Sequence, residues 1–221
     1  MMQKIDILYE DAQILVIVKP AGIASQSDRG SAPDVVNALK NQLFLRDKKV
    51  PEIFCVHRLD KPVAGLMVYA KSKQAAAFLG KQVQEGETFT KRYYALAEGE
   101  FPETIGVRTK AVDWLLQDKR ENASKVVSEG TPGAKRAELF YTGLRIFEGK
   151  TLFDVELITG RHHQIRVQMA ARSMGLFGDR KYNQKTTETR LGLCCHHLAF
   201  VHPKSREAMT FEETWERLTQ N

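Results

Sequence analysis

Cys55-Val56-His57-Arg58-Leu59-Asp60-Lys61-Pro62-Val63-Ala64-Gly65-Leu66-Met67-Val68-Tyr69-Ala70-Lys71 sets one acid in a short loop between two apolar runs. Residues 53–56 and 66–70 read as strands, because they are short and rich in β-branched and aromatic side chains. Asp60 sits in the connection with His57, Arg58 and Lys61 around it. A carboxylate among cations stays ionised at neutral pH, since nearby positive charge lowers its pKa. That state suits a nucleophile or a base and does not suit a general acid. The competing reading is a loop aspartate in a surface salt bridge, which accounts for most isolated acids.

Outward from this loop the chain alternates short strands with a few helices. Residues 5–9 alternate in polarity, and residues 14–18 form a β-branched run closed by Lys19-Pro20-Ala21-Gly22. Ser31-Ala32-Pro33-Asp34 predicts a helix start, with Ser31 as cap and Asp34 in the first turn. Val35, Val36, Leu39 and Leu43 follow at helical spacing. Ser72 caps a second helix that carries Ala75, Phe78, Leu79 and Val83. Residues 91–96 predict a strand, and the polar stretch 117–124 a hairpin or an exposed loop. Phe153, Val155 and Leu157 alternate with Asp154 and Glu156, which predicts a half-buried strand. Residues 161–174 have helical periodicity, with Gly175 placed as the stop. A late strand over 193–201 and a terminal helix over 212–218 complete the pattern. The elements interleave without βαβ regularity, so the expected class is α+β, a mixed and largely antiparallel sheet with flanking helices. No linker or repeat divides residues 1–221, and a single domain is expected.

The 221 residues are 43% hydrophobic and 27% charged, which excludes wholesale disorder. No apolar run is long enough to cross a bilayer, and no secretory signal is visible at Met1. Three cysteines, of which Cys194 and Cys195 are adjacent, make a poor disulfide framework, so a reducing, cytoplasmic setting is expected. The net charge of +6 is unevenly spread: residues 161–206 hold nine Lys and Arg against two acids, and five of the six histidines. Such asymmetry fits a nucleic-acid-binding face or a solvated basic surface, and charge alone does not separate the two.

A second informative segment is Thr159-Gly160-Arg161-His162-His163-Gln164-Ile165-Arg166, which leaves a strand and enters a donor-rich helix. Its cations would attract an anion, either phosphate or a side-chain carboxylate. Taken together, the two segments resemble the RluA-type pseudouridine synthases. That family's catalytic motif is matched by His57-Arg58-Leu59-Asp60, Gly65-Leu66 and Ala70-Lys71, and its later motif by residues 159–166. Val18-Lys19-Pro20-Ala21-Gly22, Lys91-Arg92-Tyr93-Tyr94-Ala95-Leu96, Gly178-Asp179-Arg180-Lys181-Tyr182 and Leu198-Ala199-Phe200-Val201-His202-Pro203 fall in the family's order. The likeness therefore covers nearly the whole chain and implies the pseudouridine synthase catalytic fold.

The resemblance implies that Asp60 attacks the target nucleotide and that Tyr93 stacks on the uracil. It also implies that Arg166 pairs with Asp60 and that Arg58 replaces the flipped nucleotide in the stack. Arg161, heading the later motif, joins Tyr93, Arg166 and Arg58 as a substrate-binding candidate. The implied partner is ribosomal or transfer RNA, with no membrane and no obligate protein partner. Breaking N1–C1′, turning the base and joining C5 to C1′ is redox-neutral, so no cofactor and no metal is expected. A buried uridine must be flipped out, and aromatic stacking offsets that cost of a few kcal/mol. Whether Asp60 attacks C1′ or the base is open. The chain begins too close to the first motif for the small N-terminal RNA-binding (S4-like) domain of many relatives, so target choice is expected from the basic stretch after Arg161.

Two departures stand out. Pro62-Val63-Ala64 replaces the family's hydroxyl-bearing residues, so loop rigidity is expected from Pro62, whose φ is fixed. Cys194-Cys195 precedes His196-His197, but four contiguous residues lack the spacing of a zinc site. One of the cysteines is expected in the core, and one of the histidines on the RNA side. The alternatives are an RNA-binding module of the same fold without catalysis, and a glycosidic hydrolase. The hydrolase would need a second carboxylate, and the motif near Asp60 has none.

Overall fold

A computed structural model describes residues 4–27 and 33–220. The chain forms two compact units, one from residues 1–91 and 194–221, the other from residues 92–193.

The first unit is built on β1 (Asp6–Glu10), β2 (Ile14–Lys19) and β4 (Ala64–Ala70), in antiparallel succession. β3 (Phe54–Cys55) pairs antiparallel with the far end of β4, whereas β10 (Leu193–Val201) runs parallel to its first residues. β11 (Ala208–Glu212) closes on β10. β2 and β4 are buried at every position, as the apolar runs 14–18 and 64–70 require of strands covered on both faces, and Lys19 at the end of β2 is buried with them. α1 (Val35–Asp47), α2 (Lys73–Glu85) and the short α4 (Trp215–Thr219) complete this unit.

In the second unit the strand order is β5 (Thr90–Glu98), β9 (Lys150–Leu157), β8 (Lys135–Phe147), β6 (Thr109–Asp118) and β7 (Ala123–Val127), each antiparallel to the next. α3 (Gln164–Ala170) seats Val167 on Leu115 and Ala137, with Tyr182 packed alongside. Among the described residues no helix is long and apolar enough to cross a membrane. The architecture is thus α+β and mostly antiparallel, as the interleaved pattern predicts.

Several local expectations are corrected. The cap of α1 is Asp34, whose carboxylate accepts from Asn37 N at 2.7 Å, so it precedes the helix instead of lying in its first turn. Ser31 lies outside the described residues. Ser72 caps α2 as read, accepting from Ala75 N at 3.1 Å. The strand expected to be half-buried is covered on both faces over Thr151 to Val155, and Asp154 there forms an ion pair with Arg92. α3 is only seven residues long and ends at Ala170, and Ser173 beyond it turns left-handed at φ 61°. Gly175 is not its stop: a Cβ there would lie 2.8 Å from the Asn183 side chain, so close packing explains the glycine. β11 was not foreseen, and it takes the first residue of the expected terminal helix. Both cysteines, not one, are buried, because the first half of β10 is covered on both faces.

Candidate active site

The loop from His57 to Val63 joins β3 to β4, and its side chains alternate. His57 and Leu59 point into the core, Arg58 is exposed and Asp60 is half-buried. Ser25 locks the middle of the loop: its Oγ accepts from Leu59 N at 3.0 Å and donates to Leu59 O at 2.8 Å. A turn follows, closed by Val63 N donating to Asp60 O at 3.0 Å. Lys61 O then accepts from Gly22 N at 2.8 Å and from Lys19 Nζ at 3.2 Å.

Lys19 is fully buried, and its ammonium also donates to Pro20 O at 2.9 Å and Ile23 O at 2.8 Å. Burial pulls its pKa down to about 8, while the Asp60 carboxylate pulls the other way. Lys19, Gly22 and Ser25 thus brace the loop by hydrogen bonds, beside the exposed Pro62. Val63 and Ala64 are buried, so the hydroxyls of the usual family residues would have to be satisfied in the core here.

His57 does not belong to the cationic setting read from sequence. Its Nε2 accepts from Val68 N at 3.1 Å, which leaves the ring proton on Nδ1. Burial, reinforced by the Lys91 cation, drives its pKa well below the ordinary histidine value, so it is neutral. The ring packs edge-on to Phe89, with centroids 5.2 Å apart. A buried cation that acts on Asp60 is Lys19, a residue that sequence reading noted only within a motif. Gly65 is required by close approach: at φ 126°, a Cβ would stand 2.2 Å from Cys195 O.

In the second unit, residues 159–166 form a hydrogen-bonded turn. Thr159 Oγ1 donates to Gln164 Oε1 at 2.8 Å, and Arg161 N donates to the same oxygen at 2.9 Å. Gln164 Nε2 in turn donates to Glu138 O at 3.0 Å. His163 takes a left-handed φ of 54° immediately before α3. The exposed Arg161 lies along β8, with Nε donating to Arg136 O at 2.9 Å.

Arg166 is buried, and its Nε and Nη2 donate to Asp179 at 2.8 and 2.6 Å. One anion at this segment is therefore a side-chain carboxylate of the same unit. Tyr93 on β5 is buried opposite Val155 of β9, whereas Tyr94 is half-buried. Gly178 lets the Asp179 loop close, because a Cβ at its φ of 71° would meet Arg190 O at 1.8 Å.

Arg58 and Asp60 thus share the braced loop of the first unit, while Tyr93, Arg161 and Arg166 belong to the second. Sequence reasoning missed Lys19, Ser25 and Asp179 as working parts. Lys19 and Asp179 lay inside quoted motifs, but Ser25 carried no signal. Chemically, the loop presents one carboxylate on fixed backbone, which is what nucleophilic attack needs. Among the described residues no cluster of His, Cys, Asp or Glu could hold a metal ion.

Residues 13–171 match the family model described as RNA pseudouridylate synthase. The chain is 36% identical over 208 residues to the dual-specificity RNA pseudouridine synthase RluA of Vibrio vulnificus, covering 90% of this chain and 79% of that protein. It is 34% identical over 211 residues to the ribosomal large subunit pseudouridine synthase C of Pasteurella multocida, covering 92% of this chain and 62% of that protein. The chain thus spans less than two thirds of the Pasteurella protein's length. In fold it is similar to human RNA Pseudouridylate Synthase Domain Containing 1, with TM-score 0.77 at 21% identity over 97% of this chain and 84% of that one. Sequence likeness of this extent, with the aspartate motif seated on a braced loop, carries one conclusion: the chain belongs to the RluA-type family of RNA pseudouridine synthases, a class of isomerases.

Proposed function

We propose that this chain isomerises a specific uridine in ribosomal or transfer RNA to pseudouridine, in the cytoplasm, with Asp60 as nucleophile. The observation that carries the reading is the seating of Asp60. Its carboxylate is half-buried on a loop tied down by Lys19, Gly22 and Ser25, so it can attack without first being ordered. With attack at C1′, the carboxylate forms an ester bond to C1′ as N1–C1′ breaks. The freed uracil turns, C5 bonds C1′ and displaces the carboxylate, and the C5 proton leaves while N1 takes one up, so atoms balance with no change of oxidation state.

In this proposal Tyr93 stacks on the flipped base and Arg166 pairs with Asp60 to keep it ionised. Arg58, exposed beside Asp60, fills the space the nucleotide vacates, and Arg161 contacts the RNA backbone. The ribosomal target named for the Pasteurella relative supports ribosomal RNA as the first substrate to test. Mapping pseudouridines in total RNA from cells with and without the gene tests the function. Loss of modification at a discrete uridine is the expected outcome, and an unchanged map in every RNA would refute it.

A further inference from the structure

Arg166 is mounted from two directions by residues to which no role has been assigned. Along one edge, Asp179 takes Nε and Nη2 at 2.8 and 2.6 Å, and Asp179 is only 1% exposed. Its carboxylate also accepts from Lys181 N at 3.2 Å and Tyr182 N at 3.4 Å, so its position is set by its own loop. Over one face, the Tyr182 ring lies 5.1 Å from the guanidinium carbon. The Tyr182 hydroxyl is itself pinned: it accepts from Ser124 N at 2.7 Å and meets His163 Nδ1 at 2.8 Å. Burial, with the Arg166 charge next in effect, drives the His163 pKa down to about 3, so the ring that meets the Tyr182 hydroxyl is neutral. His162 stacks on His163 with centroids 3.8 Å apart and bonds Ser124 Oγ at 3.0 Å, which ties the mount to β7.

We infer that Asp179 and Tyr182 are positioning residues that fix the guanidinium of Arg166 for the reaction. A bidentate pair on the Nε–Nη2 edge confines any further anion to the Nη1 side, and the ring beneath prevents the plane from tilting. A guanidinium held in this way is oriented before RNA arrives. Its plane is set by charge on one side and by an anchored aromatic ring on another. The inference rests on the proposed role of Arg166 in the isomerisation.

The test compares kcat, KM for RNA and thermal unfolding for Tyr182→Phe, Asp179→Asn and Arg166→Met, and for the doubles that combine each of the first two with Arg166→Met. Tyr182→Phe removes a single oxygen and keeps the ring, so it carries the test if Asp179→Asn fails to fold. It should lower kcat about 10-fold with KM nearly unchanged, since small misplacements cost rate more than binding. In the Arg166→Met background, neither substitution should lower kcat further, because both act through the missing side chain. Wild-type kcat in Tyr182→Phe, or losses that simply multiply in the doubles, would overturn the positioning role. Wild-type kcat in Arg166→Met would instead overturn the reading of Arg166, and the inference with it.

Discussion

His57 and His163 are both buried and neutral, and each is held by a ring nitrogen. His57 Nε2 accepts a β4 backbone N–H at 3.1 Å, and His163 Nδ1 faces the Tyr182 hydroxyl at 2.8 Å. Their folded pKa values lie below the ordinary 6.5, about 3 for His163 and lower by direction for His57. Below that ordinary value the unfolded chain binds protons that the folded chain refuses, so stability falls as pH drops from 6.5 towards 3. His163→Gln should therefore flatten the fall of Tm between pH 6.5 and 4, measured by thermal unfolding against wild type; an unchanged slope would show that His163 is protonated in the fold. Some of this scale was legible in the sequence. Arg166 was identifiable from its motif, but its partner Asp179 lies thirteen residues on, a separation that no periodicity connects. The inward turn of His57 was hidden because a histidine beside an aspartate reads equally as a charge or as a core ring.

Among the elements, β4 and β10 show how tightly glycine placement governs the loop that carries Asp60. Gly65→Ala would drive a Cβ into the Cys195 backbone at a left-handed φ of 126°, and neither strand can retreat from a fully buried position. Its cost should be at least about 2 kcal/mol, seen in chemical denaturation, with β4 misregistered or the protein insoluble. A milder change is Asp34→Ala, which removes the α1 cap and should cost about 1 kcal/mol by the same measurement. Asp34 also accepts from Ser27 N at 2.7 Å, so the loss should sit at or above that figure. Strands with dense β-branched content, such as β2, were readable, and so was the Ser72 cap. α3 was overread because Arg172 continues the helical spacing of Ile165 and Met169 past Ala170, where the helix ends, just before Ser173 turns left-handed. β11 alternates polar with apolar residues over only five positions and is recognisable chiefly by its pairing with β10.

For the whole molecule, a net charge of +6 with its cationic excess concentrated over residues 161–206 predicts RNA binding that weakens with salt. Affinity should fall on the order of 10³-fold between about 50 and about 200 mM salt if some six phosphates are met. Arg180 and Lys181 are poor choices for testing this, because they hold their own loops. Arg180 donates to Thr187 O at 2.9 Å and Lys181 to Glu121 O at 2.9 Å. The exposed Lys185 and Arg190 are better ones, and each reversal to Glu should flatten the salt slope by about one unit without lowering Tm. The fold class and the family were legible because two long motifs and the strand pattern agree across the chain. The bracing of the Asp60 loop was not, because Lys19 and Ser25 reach it from 42 and 34 residues away. The central claim is that this loop presents a nucleophile. It is tested most directly by tritium release from RNA labelled at C5 of uridine, in single turnover, with Asp60→Ala beside wild type and thermal unfolding as control. The account predicts release by wild type and none by a folded Asp60→Ala protein, whereas wild-type release from that variant would contradict it.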